Sequence, residues 1–142
     1  MSYSLSFSKA ILVLVFISDK DRLEQYEFLS SKMISEVLNI PKPTLVKILH
    51  GLNLAGIIET REGKTGGIKL AKSPKSISVL DILKATEGMK SLFNTSFNLS
   101  VSGKRPSQVQ KSVAEVLNTA EKNMKAELAA TSLADILQQA NS

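Results

Sequence analysis

Within the stretch TREGKTGG, residues 60–67, the run Gly63-Lys64-Thr65 has the residue types that hold phosphate. A lysine supplies a cation, a threonine hydroxyl supplies a donor, and glycines let backbone N–H groups approach an anion closely. Two chemistries use such a set. One is nucleotide hydrolysis at a P-loop; the other is contact with a nucleic-acid backbone from the tip of a β-hairpin. A P-loop reads G-x-x-x-x-G-K-[ST] and opens a helix whose N-terminus receives the phosphates. With Gly63 as the second glycine, the first falls on Ile58, and the nearest glycine is Gly56. After Gly66 the chain continues as GIKLAKSP, an extended pattern ending in proline. Both facts argue against the P-loop. In the hairpin, Gly66-Gly67 permits positive φ at the tip, and Arg61, Lys64, Thr65 and Lys69 surround it.

Composition narrows the partner. The 142-residue chain carries a formal charge of +5. Residues 40–75 hold seven bases and two acids, so the whole excess lies in one quarter of the chain. A solvated lysine-rich surface is the plain explanation; a local excess beside a neutral remainder also suits a polyanion. There is no cysteine and one histidine, His50, which rules out thiolate metal sites, iron–sulfur ligation by cysteine, disulfides and a cysteine nucleophile. No Asp/Glu spacing suggests a cation site, and no cofactor is expected. The longest apolar run, Ala10 to Ile17, is too short for a membrane span of ~20 residues. It reads as a buried first helix, with no membrane partner and a cytoplasmic location expected.

The elements that position the basic residues can be read from periodicity and punctuation. A first helix is expected over about Ser8 to Ser18. Ser30 can cap a helix from Ser31 to Leu38, with Ile34, Val37 and Leu38 on one face. Asn39-Ile40-Pro41 stops it, because the residue before proline is biased out of the helical region. The next helix starts near Pro41 to Thr44. Leu45, Ile48, Leu49 and Leu52 form its buried stripe at i, i+3, i+4 and i+7. Gly51 inside it costs about 1 kcal/mol relative to alanine, which suggests a close approach of DNA or of another helix. The runs IIET and IKLA flank the glycine-rich tip as strands. Ser78 and Asp81 have capping-box spacing for the helix VLDILKATE. A Ser/Asn-rich loop, 89–106, leads to a long helix over about Ser107 to Leu128. Ser132 and Asp135 then begin a short last helix.

Helix, turn, amphipathic helix and basic hairpin, in that order, make a winged helix-turn-helix. The second helix of such a pair enters the major groove by its N-terminal residues. Opposite its apolar stripe lie Lys42, Thr44, Lys47, His50 and Gly51. Thr44 and Lys47 are the best base-edge candidates, since lysine donates to guanine O6/N7 and threonine touches a base or a thymine methyl. His50 is a candidate for phosphate or base. Ser30, Ser31 and Lys32 are candidates for phosphate.

The segment from SSKMISEVLNIPKPTL through LNLAGIIETREGKTGGIKLAK to ISVLDILKATEG, together with SLADIL near the C-terminus, resembles the Rrf-two family of bacterial transcription regulators, of IscR/NsrR type. The resemblance covers nearly the whole chain. It implies a mainly α fold with a small β-hairpin: a winged helix-turn-helix plus a long C-terminal dimerisation helix. It also implies a dimeric DNA-binding regulator, usually a repressor. Matched by position, the recognition-helix contacts fall on Pro43, Thr44 and Lys47, and the wing on Lys64 to Gly67. Two departures stand out. Ile68 follows the wing glycines where an aromatic residue is common. Many members place three cluster-ligating cysteines before the dimer helix, and residues 89–107 hold none. The chain resembles the cluster-free branch, and cluster sensing does not carry over.

The expected organisation is therefore a DNA-binding unit over 1–88, a linker over 89–106, and dimerisation and terminal helices over 107–142. The candidate dimer residues are Val109, Val113, Val116, Leu117, Ala120 and Met124, because a lone helix of ~20 residues is marginal without packing. A two-fold dimer covers such a face, as would an intramolecular clasp onto the first helix. Phe93 and Phe97 in the linker either close over an unidentified apolar effector or staple the loop down. The expected function is a homodimeric regulator, acting as a repressor on a pseudo-palindromic site in double-stranded DNA. The alternative is a winged-helix module that binds an acidic protein. No enzymatic activity is expected.

Overall fold

The computed structural model describes residues 4–22, 28–64, 66–88, 90–95 and 98–141. Thr65 and Phe97 lie outside the described residues. Among the described residues six α-helices and one hairpin appear in the expected order. Helix α1, Leu5–Arg22, is longer than the apolar run alone suggested. Its buried residues Ala10, Val13, Leu14 and Ile17 recur at i, i+3, i+4 and i+7. Helix α2, Ser31–Leu38, starts at the predicted cap: the Met33 amide donates to Ser30 Oγ at 3.1 Å. It ends at Asn39, whose left-handed φ of 52° turns the chain and lets its amide donate to the Ser35 carbonyl. The Ser35 hydroxyl then donates to the Ile40 carbonyl at 2.7 Å, bracing the turn.

Helix α3, Lys42–Leu54, begins directly after Pro41 and buries the four predicted residues Leu45, Ile48, Leu49 and Leu52. Strands β1, Ile58–Arg61, and β2, Gly67–Leu70, pair antiparallel with Ile58 opposite Leu70 and Arg61 opposite Gly67. Leu29 bridges the other edge of β2: it exchanges two hydrogen bonds with Ile68, at 2.8 and 2.7 Å. The start of α2 is thereby tied to the wing, a pairing that no local pattern announces. A short 3-10 turn, Pro74–Ser76, leads to α4, Val79–Glu87.

The tip glycines act differently from expectation. Positive φ falls at Gly63 (100°) and Gly67 (138°), but not at Gly66. Gly66 is required for space instead, since a Cβ there would stand 2.0 Å from the Arg61 carbonyl oxygen. At Gly67 a Cβ would meet the Leu29 carbonyl oxygen at 2.5 Å, so the Leu29 bridge also depends on its absence.

Helix α5, Lys104–Ala130, has no buried residue, although it is the longest helix among the described residues. It packs along α4, not along α1. Helix α6, Leu133–Ala140, returns to the core and inserts Leu133, which is fully buried in the same cluster as Leu14, Ile17, Ile77 and Ile82. Helices α4 and α6 open with the same device. The segments ISVLDIL and TSLADIL, residues 77–83 and 131–137, each form a full capping box, through Ser78/Asp81 and Ser132/Asp135. The two caps pair antiparallel: the Val79 amide donates to the Thr131 carbonyl and the Leu133 amide to the Ile77 carbonyl, both at 2.8 Å. Neither segment predicts this pairing by itself. No helix among the described residues is long and apolar enough to cross a membrane.

Candidate nucleic-acid interface

Burial of Leu45, Ile48, Leu49 and Leu52 fixes the rotation of α3 and hence its outward face. Lys42, Pro43, Lys47 and His50 are exposed there. Thr44 is half-buried, on the flank it shares with Ile48 and Gly51 at i+4 and i+7. Val46, 56% exposed, stands on the outward face among the basic residues. Sequence reasoning passed it over because it sits next to the apolar stripe in the chain. Its helical angle, about 100° from Leu45, was the available signal. An exposed valine in this place suits a thymine methyl.

Gly51 marks a close approach, and the neighbour is a helix. A Cβ at this position would lie 2.4 Å from the Ala85 carbonyl oxygen of α4. The backbones of α3 and α4 meet there, so Gly51 seats α3 against α4 and does not present itself outward.

Ser30 and Lys32 are exposed at the start of α2, and Ser31 is half-buried. On the wing, Arg61 and Lys64 are exposed, while Lys69, Gly66 and Gly67 are half-buried. Phe28, which sequence reasoning missed, organises two of these cations. The Arg61 guanidinium lies 4.7 Å from its ring centroid and the Lys69 ammonium 5.1 Å. Contacts of this kind contribute about 0.5–1 kcal/mol each at exposed sites. Phe28 lands there because its neighbour Leu29 pairs with Ile68. Arg61 also meets Glu59 at 3.7 Å, an exposed pair of little energetic weight. The strand after the tip leaves Lys64 with no helix N-terminus beside it, so a P-loop does not form.

Between α3, α4 and the start of α1 lies a cavity of about 350 Å³ lined by Lys47, His50, Glu87 and Lys90. The Glu87 side chain is 3% exposed. Its Oε1 accepts from the amide and the hydroxyl of Ser4, each at 2.7 Å, and Oε2 meets Lys90 at 3.0 Å. Burial pushes its carboxyl up, but the Ser4 hydroxyl, Lys90 and the Ser4 amide together outweigh it, and the net direction is down from 4.5. A lowered carboxylate stabilises the fold above its ordinary value, and that contribution is lost as pH falls through the lowered one. Glu87→Gln is therefore expected to cost about 1–2 kcal/mol at pH 7. It should also flatten the loss of stability below pH 4.5, as read by urea unfolding across pH. An unchanged acid limb would remove Glu87 from that role.

The six candidate dimer residues fall on two stripes of α5. Val109, Val113, Val116 and Ala120 recur at i, i+4, i+7 and i+11 and are all exposed, the three valines by 46, 40 and 67%. Leu117 and Met124 are half-buried on the stripe that also carries Glu121 and Leu128. Glu121 accepts the Leu92 amide and meets Lys125 at 3.2 Å. The Leu92 bond, with Lys125 and the Phe93 amide, holds its carboxyl low despite an opposing cost of desolvation. The loop is stapled to α5 by its backbone there, and Phe93 is half-buried.

The family model of Rrf2, described as an iron-dependent transcriptional regulator, matches residues 3–139. An NsrR regulator of Halalkalibacterium halodurans is 35% identical over 81 residues, 57% of this chain and 52% of that protein. The chain thus spans about half the length of the curated relatives it matches. Two solved structures share the fold. The IscR of T. potens superposes with a TM-score of 0.68 at 24% identity, covering 99% of this chain and 88% of that one. The oxidized form of CymR from Staphylococcus aureus gives 0.62 at 19%, covering 96% of each. The iron in the family's description does not suit this donor set. The chain has no thiolate to offer, and among the described residues no three His, Asp or Glu side chains converge. With the helix pair, the wing and the family match in agreement, the chain belongs to the Rrf2 family of transcriptional regulators.

Proposed function

We propose that this protein is a homodimeric, sequence-specific repressor that reads a pseudo-palindromic site in double-stranded DNA. The observation that carries the reading is the outward face of α3. Its stripe is buried completely enough to leave Lys42, Pro43, Val46, Lys47 and His50 free of the core, beside a wing whose Arg61 and Lys69 lie against Phe28. On this reading Ser30, Ser31 and Lys32 contact phosphate, with Arg61, Lys64, Thr65 and Lys69 doing so from the wing. The exposed Val109, Val113, Val116 and Ala120 supply the seam between two copies, since an apolar stripe of this kind gains by burial at about 25 cal/mol per Å². Leu117 and Met124 border that seam. Residues 1–88 then read DNA, 107–142 join the copies through α5 while α6 folds back onto the core of 1–88, and 89–106 link the two. Two recognition helices ~34 Å apart demand half-sites one helical turn apart.

Random-site selection at moderate salt tests the reading. Enrichment of an inverted repeat is expected, with affinity falling steeply as salt rises and counterions are released. Selection that enriches no motif would overturn sequence-specific recognition and favour binding to an acidic protein.

A further inference from the structure

A second cavity, of about 520 Å³, lies where the end of α1, the Pro74–Ser76 turn and α6 meet. No described residue of α3 or of the wing lines it. Its apolar lining comes from Pro74, Ala134 and Leu137. Ser18 reaches it from α1 and is 7% exposed, the one polar residue among the buried set of the described residues. Its hydroxyl has no hydrogen-bond partner among the described residues. A buried hydroxyl left unpaired is costly, and a water or bound group that completes it removes that cost. The cavity also carries two opposite charges, Asp21 from α1 and Lys75 from the turn. Both residues are exposed, and neither is engaged in an ion pair among the described residues.

These features specify complementary chemistry. Asp21 calls for an ammonium, Lys75 for a carboxylate, Ser18 for a hydrogen-bonding group, and Pro74, Ala134 and Leu137 for hydrocarbon. The volume falls within the range of small-molecule pockets, about 300–1,000 Å³. We propose that this cavity binds a free α-amino acid with an apolar side chain, its ammonium toward Asp21 and its carboxylate toward Lys75. A cation alone would leave Lys75 unused, and a fatty acid would leave Asp21 facing hydrocarbon. The site joins segments that lead elsewhere. The turn comes after β2 of the wing, and α6 comes after α5. A ligand clamping α6 to the turn shifts the proposed DNA affinity if it binds the two states of those segments unequally. This last step rests on the DNA-binding reading; binding of the amino acid does not.

Calorimetric titration of the full chain with L-leucine and L-methionine tests the site. Leucinamide lacks the carboxylate and 4-methylpentanoate lacks the ammonium, so they serve as controls. Saturable binding of at least one amino acid is expected, and of neither control. Asp21→Asn and Lys75→Gln, both at exposed positions outside the core, are each expected to weaken it about tenfold or more. No saturable binding at millimolar concentration would overturn the proposal. So would controls that bind as well as the amino acids, or variants that bind like the unsubstituted chain. DNA affinity measured without amino acid reports the regulator reading separately, so failure of one is distinguishable from failure of the other.

Discussion

Leu133→Ala is expected to lower the free energy of unfolding by about 2–5 kcal/mol, the range for a fully buried leucine whose surroundings cannot collapse into the space. The side chain is 0% exposed and belongs to the same buried cluster as Leu14, Ile17 and Ile82. Its amide is simultaneously fixed to the Ile77 carbonyl, so the site has little freedom to relax. Helix α6 is thus part of the core built by α1 to α4, though it begins some forty-five residues past α4 in sequence. Urea unfolding followed by circular dichroism, at one protein concentration for all samples, gives the value. Leu54→Ala, the same truncation at a position 74% exposed, is the matched control and should shift stability by less than about 0.5 kcal/mol. A cost below about 1 kcal/mol at Leu133 would make α6 an appendage.

The second large effect concerns DNA. On the proposed reading, Lys47→Ala weakens binding to the selected site by about 1–3 kcal/mol and relaxes the preference at one base position. Lys64→Ala, at the wing tip, weakens all duplexes similarly and lowers the salt slope by about one. The difference comes from placement. Lys47 projects from a helix whose rotation is fixed by four buried residues, whereas Lys64 sits on a turn and offers a charge without a fixed direction. Fluorescence anisotropy on the selected site and on single-base variants, at fixed ionic strength, separates the two. If Lys47→Ala left base preference intact, Lys47 would be a phosphate contact and the reading of α3 would shift to its neighbours.

What the sequence made legible was local. Ser30, Ser78 and Ser132 announced three helix starts because a capping hydroxyl acts within three residues of itself. The α3 stripe was visible because four leucine and isoleucine residues at helical spacing have one sensible place to go. The hairpin was recognised, but Gly67 already lies in β2, and the reason for Gly66 was missed, since its constraint comes from a carbonyl five residues back. Everything that depended on distant pairing stayed hidden. Phe28 gained its role only through Leu29 and Ile68, and Gly51 only through Ala85. The outward placement of Val46 was in the helical angles but was masked by composition, since valine beside a leucine stripe reads as core.

The pairing of the Ser78 and Ser132 caps has a topological consequence. The chain leaves the core after α4, runs through the loop and the whole of α5, and returns to the point from which α4 set out. The arm is therefore a closed ring with a knot of four backbone groups at its base, not a tail hung from one end. A tail can swing without disturbing its root; a ring closed this way can tilt only by turning its clasp. That clasp lies within ten residues of the end of β2, so on the proposed dimer reading a change in how two arms cross would reach the wing through its anchor.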